Sequence, residues 1–328
     1  MAAFKLATPV AFIIFNRPDT TARVFAEIAK AKPPKLLVIA DGPRADREGE
    51  AAQCAAARAI IERVDWPCEV LTNFAAENLG CKRRVSSGLD WVFAQVEEAI
   101  ILEDDCVPHP DFFRYCETLL ARYRDDERVM MICGSNFLEN VPALPESYFF
   151  TNYYPIWGWA GWRRAWKLYD VEMKSWPAMK KSGQLRWLFS HEELARYYEA
   201  MFDLIGRGFD TWDIQWWYAC VMAHGLAIMP RGNLIANVGM TGTHTATQRD
   251  LHTNLPTFPF ADPVVHPGHV VADYALSVQT YERSHAGLTL DTSLQGALKR
   301  RRPKAILKAL LPEGALRTFR ALKKGRKP

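Results

Sequence analysis

Short apolar runs, each followed at once by polar residues, constrain this chain more than any other feature. VAFIIF (10–15), LLVIA (36–40), AIIL (99–102) and VMMI (129–132) are rich in β-branched side chains, and CEVL (68–71) is a weaker fifth. Runs this short and apolar throughout suit strands buried on both faces. Between them the spacing turns helical. Val24, Phe25 and Ile28 mark one stripe, Val85, Leu89, Val92, Phe93 and Val96 a second, and Phe112, Phe113, Cys116, Leu119, Leu120 and Tyr123 a third. Strand and helix in repetition predict an α/β domain whose mainly parallel sheet is covered by helices. Ligands on such sheets sit beyond the carboxyl ends of the strands, so the residues after each run are the ones to inspect.

Those residues are charged. Asn16, Arg17, Pro18 and Asp19 follow the first run, Asp41, Gly42 and Pro43 the second, and Glu103, Asp104 and Asp105 the fourth. Three adjacent carboxylates repel one another unless a cation neutralises them. Hard carboxylate oxygens suit Mg2+ or Mn2+, which also bind phosphate, so the trio would hold an ion acting as a Lewis acid toward a departing diphosphate. The plainer alternative is a solvated loop ahead of a helix at Asp111. Arg17 would face a base or phosphate, and Asp41 a base or ribose. Each is also explained singly by surface or turn chemistry; their gathering at neighbouring strand ends is what points to a nucleotide. Asn78-Leu79-Gly80 opens a helix with Lys82, Arg83 and Arg84 in its first turn, where cations oppose the helix dipole. They serve an anionic ligand or form a solvated basic face.

Nine of the eleven tryptophans fall within residues 148–225. In the stretch from Trp157 and Gly158 through Trp159 to Trp162, flat rings would wall a sugar, with core packing the alternative for at least two of them. Asp213, beside Trp212 in Gly208–Trp216, is a carboxylate among aromatics, which suits a general base for an acceptor hydroxyl. A first-turn helix acid is the alternative, and Asp210 would fill the capping role equally well. Gly239 to Thr245, rich in glycine and threonine, reads as a lid in which Thr243 and His244 close over the diphosphate.

In this order the motifs resemble those of the N-acetylglucosaminyltransferase I family of GT-A glycosyltransferases, over roughly residues 8–250. FNRPD, VIADG, SGLDWVFAQ with AIILEDDCVPHPDFFRYC, YFFTNYYPIWGWAGWRRAW, TWDIQW and GMTGTHT are similar to successive segments of that family. The resemblance implies a GT-A (Rossmann-like) nucleotide-diphospho-sugar transferase fold. It implies Asp105 as direct metal ligand, Asp104 and Glu103 toward ribose and donor sugar, Arg17 and Asp41 toward uridine, and Asp213 as base of an inverting transfer. Donor sugar and acceptor do not carry over from that family; the expected partners are a nucleotide-diphosphate sugar, with UDP-sugar favoured, and a glycan or glycolipid acceptor, as in building a surface polysaccharide. Ile214 and Gln215 stand where that family has a further acid after the catalytic aspartate.

Composition bounds the rest. Seven cysteines without CxxC spacing favour a reducing compartment over a disulfide framework. No run approaches the ~18 apolar residues of a membrane span. Residues 296–328 hold twelve Lys and Arg against Glu313 alone, leaving 29 basic and 36 acidic residues in the remainder. With apolar Ile306, Leu307, Leu310, Leu311, Leu316, Phe319 and Leu322 among those cations, the tail reads as an amphipathic segment for anionic lipid or as a disordered basic tail; nucleic acid is a weaker partner. The expected organisation is a catalytic domain over 1–250 (nucleotide half 1–135, acceptor half 136–250), an irregular extension over 251–295 and the tail over 296–328. The expected location is cytoplasmic, peripheral on the inner membrane face if the tail binds lipid. Two rivals remain: a nucleotidyltransferase making nucleotide sugars, whose usual Gly-rich phosphate loop FNRPD lacks, and a non-catalytic membrane-binding protein acting through the tail.

Overall fold

Each apolar run becomes a strand in the computed structural model, which describes residues 4–189, 191–239 and 252–285. Thr243 and His244, the tail and residues 286–295 of the extension lie outside the described residues. The chain runs β1 (Val10–Ile14), α1 (Pro18–Ala31), β2 (Lys35–Ala40), α2 (Glu50–Ala59), β3 (Glu69–Phe74), α3 (Gly80–Gln95), β4 (Glu98–Glu103), β5 (Cys106–Pro108), α4 (Asp111–Arg122) and β6 (Val129–Cys133). It continues through β7 (Tyr148–Thr151), β8 (Trp159–Trp162), α5 (Arg163–Trp166), α6 (Trp176–Ser182), α7 (Leu185–Leu188), α8 (Glu192–Gly206) and α9 (Asp213–Met222). Strands β9 (Leu226–Pro230) and β10 (Ile235–Asn237) follow, then α10 (Tyr274–Ser284).

Eight strands form one sheet in the order β3-β2-β1-β4-β8-β6-β9-β7. Strands β3, β2, β1 and β4 run parallel, as the repeating pattern predicts. The other half corrects the expectation of a mainly parallel sheet. β8 is antiparallel to both β4 and β6, β9 returns parallel to β6, and β7 closes the edge antiparallel to β9, so the sheet is mixed. Apolarity marks a buried strand but not its direction, and β8 comes from the tryptophan segment, which lacks the β-branched run that marks the others.

Two apolar layers flank the sheet. On one face α3 sets Val85, Leu89, Val92 and Phe93 against Ile13, Ile39 and Ile101. On the other, α1 and α4 bring Val24, Phe25, Ile28, Phe112, Phe113, Cys116, Leu119 and Leu120 onto Phe12, Val38, Ile100 and Leu102. Each large side chain fully buried in this way contributes about 1.5–3 kcal/mol relative to exposure, which outweighs the weak propensity of the aromatic start of α4. A second, two-stranded sheet pairs β5 with β10 antiparallel. That pairing carries Val238 and Gly239 back to the end of β4, where the Val238 amide donates to the Asp105 carbonyl at 2.8 Å. No helix among the described residues is long and apolar enough to cross a membrane.

Candidate functional site

The carboxyl ends of β1, β2 and β4 open into a cavity of about 240 Å³. Its wall includes Phe15, Arg17, Asp41, Arg84, Glu103, Asp104 and Asp210. The fold therefore gathers the three charged strand ends that the sequence marks.

Arg17 sits at the turn between β1 and α1, where Pro18 starts the helix. Its guanidinium forks across the acidic trio: Nη2 donates to Asp104 Oδ1, and Nη1 lies 2.9 Å from Asp105 Oδ2. Asp104 also accepts the Phe15 amide at 3.1 Å, which ties the end of β1 to the end of β4. Burial works against the charge on Arg17, yet the two carboxylates hold it protonated, above its ordinary value. Burial pushes the Asp104 carboxyl up to about 6 despite the pull of Arg17. Burial, with Asp105, Asp104 and Asp213 nearby, pushes Glu103 well above the usual carboxylate range. Charge that the trio was expected to hand to a metal is thus partly answered by Arg17.

A hard divalent ion needs several oxygen ligands at one point. Among the described residues no three His, Cys, Asp or Glu side chains converge as a ligand cage. Glu103 Oε1, however, is buried without a hydrogen-bond partner, and Asp105 keeps part of its carboxylate exposed. These oxygens fit an ion that draws its remaining ligands from phosphate, on condition that Arg17 yields Asp105.

Glu103 gives a direct test. A carboxyl whose folded pKa lies above its unfolded value, about 4.3 for Glu, stabilises the fold below that value and loses the contribution as pH rises. Glu103→Gln should match the wild type near pH 4 and exceed it at pH 8 by about 1–2 kcal/mol, the scale of relieving an unsatisfied buried group. Urea unfolding at the two pH values measures this; equal stability at pH 8 would contradict the strained state of the trio.

Asp41 is placed differently from the expectation. Its Oδ1 accepts the Gly42 and Leu79 amides at 2.8 and 2.9 Å, and its Oδ2 accepts Asn78 Nδ2 and the Gly80 amide at 3.0 and 3.1 Å. Four donors fill the ordinary acceptor capacity of a carboxylate, so in place of a base or ribose Asp41 holds the 78–80 turn. Burial raises its pKa, and the Leu79, Gly42 and Gly80 amides oppose the rise.

The three first-turn cations of α3 separate. Arg83 faces solvent, and Lys82 lies 3.4 Å from Glu172. Arg84 turns inward, 6% exposed, with Nη2 on Asn73 Oδ1 at 2.9 Å and Nε unpartnered. It makes no ion pair among the described residues. Burial lowers its pKa, opposed by the charge of Asp41, and its unmet Nε is costly unless a ligand supplies an acceptor. Arg84 is the residue that sequence reasoning undervalued. The signal was there, since it precedes the apolar stripe at Val85 and lies one turn before Gly88, where a Cβ would crowd Arg84 Nη2 at 3.1 Å and Ile39 more closely. Sequence reasoning also missed Glu50. This first residue of α2 accepts Asn16 Nδ2 at 2.9 Å and the Arg44 amide at 2.6 Å, joining the two strand-end turns.

Asp213 starts α9, half-buried, and accepts a hydrogen bond from Thr211 Oγ1. It is close enough to raise the pKa of Glu103 and of the Cys81 thiol. Burial is the larger cause at Cys81 and keeps that thiol protonated, unsuited to act as a nucleophile. Among the tryptophans the core-packing alternative holds for Trp159 and Trp162, and Trp212 is buried with them. Trp159 and Trp212 are 1% and 2% exposed, with ring centroids 6.2 Å apart. Both pack against Trp166, and Trp159 also meets Trp216 at 5.7 Å. All four residues of β8 are buried, so neither of its faces reaches solvent. Trp157 remains half-exposed, edge-on to Phe137 at 5.3 Å, and Gly158 is buried beside Ile235.

No protein-family model matches the chain, and no curated protein matches it. Among solved structures it is similar to 4-diphosphocytidyl-2C-methyl-D-erythritol synthase from Anaerococcus prevotii, at 9% identity and a TM-score of 0.31, over 49% of this chain and 74% of that one. It is also similar to UDP-glucose pyrophosphorylase complexed with UDP-glucose, at 10% identity and a TM-score of 0.25, over 44% of this chain and 62% of that one. The likeness is partial, and the site is read from its own geometry.

Proposed function

We propose that the cavity binds a nucleoside diphosphate sugar and that the protein transfers the sugar to a hydroxyl of a glycan or glycolipid acceptor. The observation that carries this reading is a half-buried carboxylate, Asp213, set within electrostatic reach of Glu103, which with Asp104 shares a cavity with two inward cations, Arg17 and Arg84. Arg84 supplies donors for the acceptor-rich edge of a base, and Arg17 a charge for phosphate. Asp213 takes the proton of the attacking hydroxyl while Thr211 fixes its orientation. A bound Mg2+ or Mn2+, held by Asp105 with Glu103 beside it, would supply charge neutralisation for the leaving diphosphate. Trp157 is the aromatic side chain left to meet sugar.

The second reading is nucleotidyl transfer, making the nucleotide sugar from a nucleoside triphosphate and a sugar phosphate. The cationic wall of the cavity would accept that substrate too. Thermal shift against nucleoside di- and triphosphates and nucleotide sugars, with and without Mn2+, tests the common ground. Ligand at 100 times its Kd should stabilise by about 2.7 kcal/mol, and Arg17→Met should lose most of that gain. Absence of any nucleotide-dependent shift would refute both readings. Pyrophosphate released from triphosphate and sugar phosphate selects the second; diphosphate released from a nucleotide sugar selects the first.

A further inference from the structure

The N-terminus of α3 is capped from far along the chain. Leu79, at the cap position, has no acceptor side chain and makes no cap bond. Instead Asp210 Oδ2 accepts the Cys81 amide at 3.0 Å and Asp210 Oδ1 accepts the Lys82 amide at 2.8 Å, across 129 and 128 residues. These are first-turn amides with no partner inside the helix, and the positive end of the dipole favours a carboxylate there. Gly80 makes the approach possible: its φ is +78°, and a Cβ at that position would stand 2.8 Å from Asp210 Oδ2. The helix end that the sequence offers to an anionic ligand is therefore already taken by the protein itself.

Two anchors thus grip one short piece of backbone. Asp41 holds the Leu79 and Gly80 amides, and Asp210 the Cys81 and Lys82 amides. From Asp210 the chain leads directly to the base. Thr211 bonds Asp213 through its hydroxyl, its carbonyl accepts Gln215 Nε2 at 2.8 Å, and the Trp212 carbonyl accepts the Tyr169 hydroxyl at 3.1 Å. Residues 206–210 are otherwise exposed, so on the pocket side Asp210 is what fastens the loop.

We propose that Asp210 is a positioning residue, which holds the loop bearing Asp213 against the nucleotide pocket through the end of α3. The inference rests on the reading of Asp213 as the base. Without the cap the pocket persists, because Asp41 still shapes it, but Asp213 loses its fixed distance from the donor. Misplacement of a reacting group by about 1 Å can cost on the order of 100-fold.

The test uses the full chain and the nucleotide sugar that gives the largest thermal shift. Asp210→Ala should lower kcat by about tenfold or more, whatever the change in the Kd of the nucleoside diphosphate, since Asp210 also lines the cavity. Asp210→Asn, nearly isosteric and a good cap residue but with one carbonyl oxygen for two amides, should recover part of the loss. The graded order in kcat, not accounted for by any change in nucleotide Kd, is the expected result. Equal kcat in all three proteins, or a fall in nucleotide affinity that accounts for the lost turnover, would overturn the proposal. Asp213→Asn, run alongside, separates the two failures: if it too leaves kcat unchanged, the reading of the base has failed; if it alone lowers kcat, only the positioning role has.

Discussion

Asp213→Asn is expected to lower sugar transfer by about 10²–10⁴-fold, the usual contribution of a general base, with nucleotide affinity unchanged. The amide keeps an acceptor for Thr211 Oγ1 and nearly the same volume, so the fold should not suffer. It removes one of the charges that raise Glu103, and the variant should therefore unfold no earlier than the wild type at pH 8. Steady-state rates with a calorimetric nucleotide titration measure both quantities. A rate within threefold of the wild type would remove Asp213 from the chemistry.

Trp159→Ala carries the largest structural effect. Its indole lies between those of Trp166, Trp212 and Trp216 at centroid distances of 5.7–6.4 Å, on a strand with no exposed face. Truncating a fully buried tryptophan leaves a cavity that close packing cannot refill and costs about 3–5 kcal/mol. Chemical denaturation should show that loss. The remaining folded fraction should still bind nucleotide, because Trp159 does not line the cavity. A stable variant with lost sugar affinity would instead return Trp159 to the role of a sugar wall.

The parts of the fold that the sequence announces are those whose pattern is intrinsic to the element. A run such as LLVIA is apolar because both faces of β2 are covered, and the Val85-to-Val96 stripe follows from the helical repeat of α3. The gathering of Arg17 with the acidic trio was legible for the same reason, since strand ends in a parallel layout meet along one edge. Three features were not legible, each fixed by contacts distant in the chain. β8 reads as Trp-Ala-Gly-Trp, which names neither a strand nor its direction; both follow from the gap between β4 and β6. Asp210 looked interchangeable with Asp213 as a cap, and only the folded chain shows that one caps α3 while the other begins α9. Asp41 looked free to meet a ligand, because nothing in Asp-Gly-Pro reveals that the 78–80 turn will fold back to claim its oxygens.

The position of β8 also shapes how this protein is made. β6 finds its sheet partners, β8 and β9, only in chain that follows it, and the outer edge of β4 is likewise closed by β8. During synthesis four parallel strands can therefore assemble with one apolar border left bare until Trp162 has cleared the ribosome. Unpaired borders of this kind invite association with other chains, and it is β8 that closes this one.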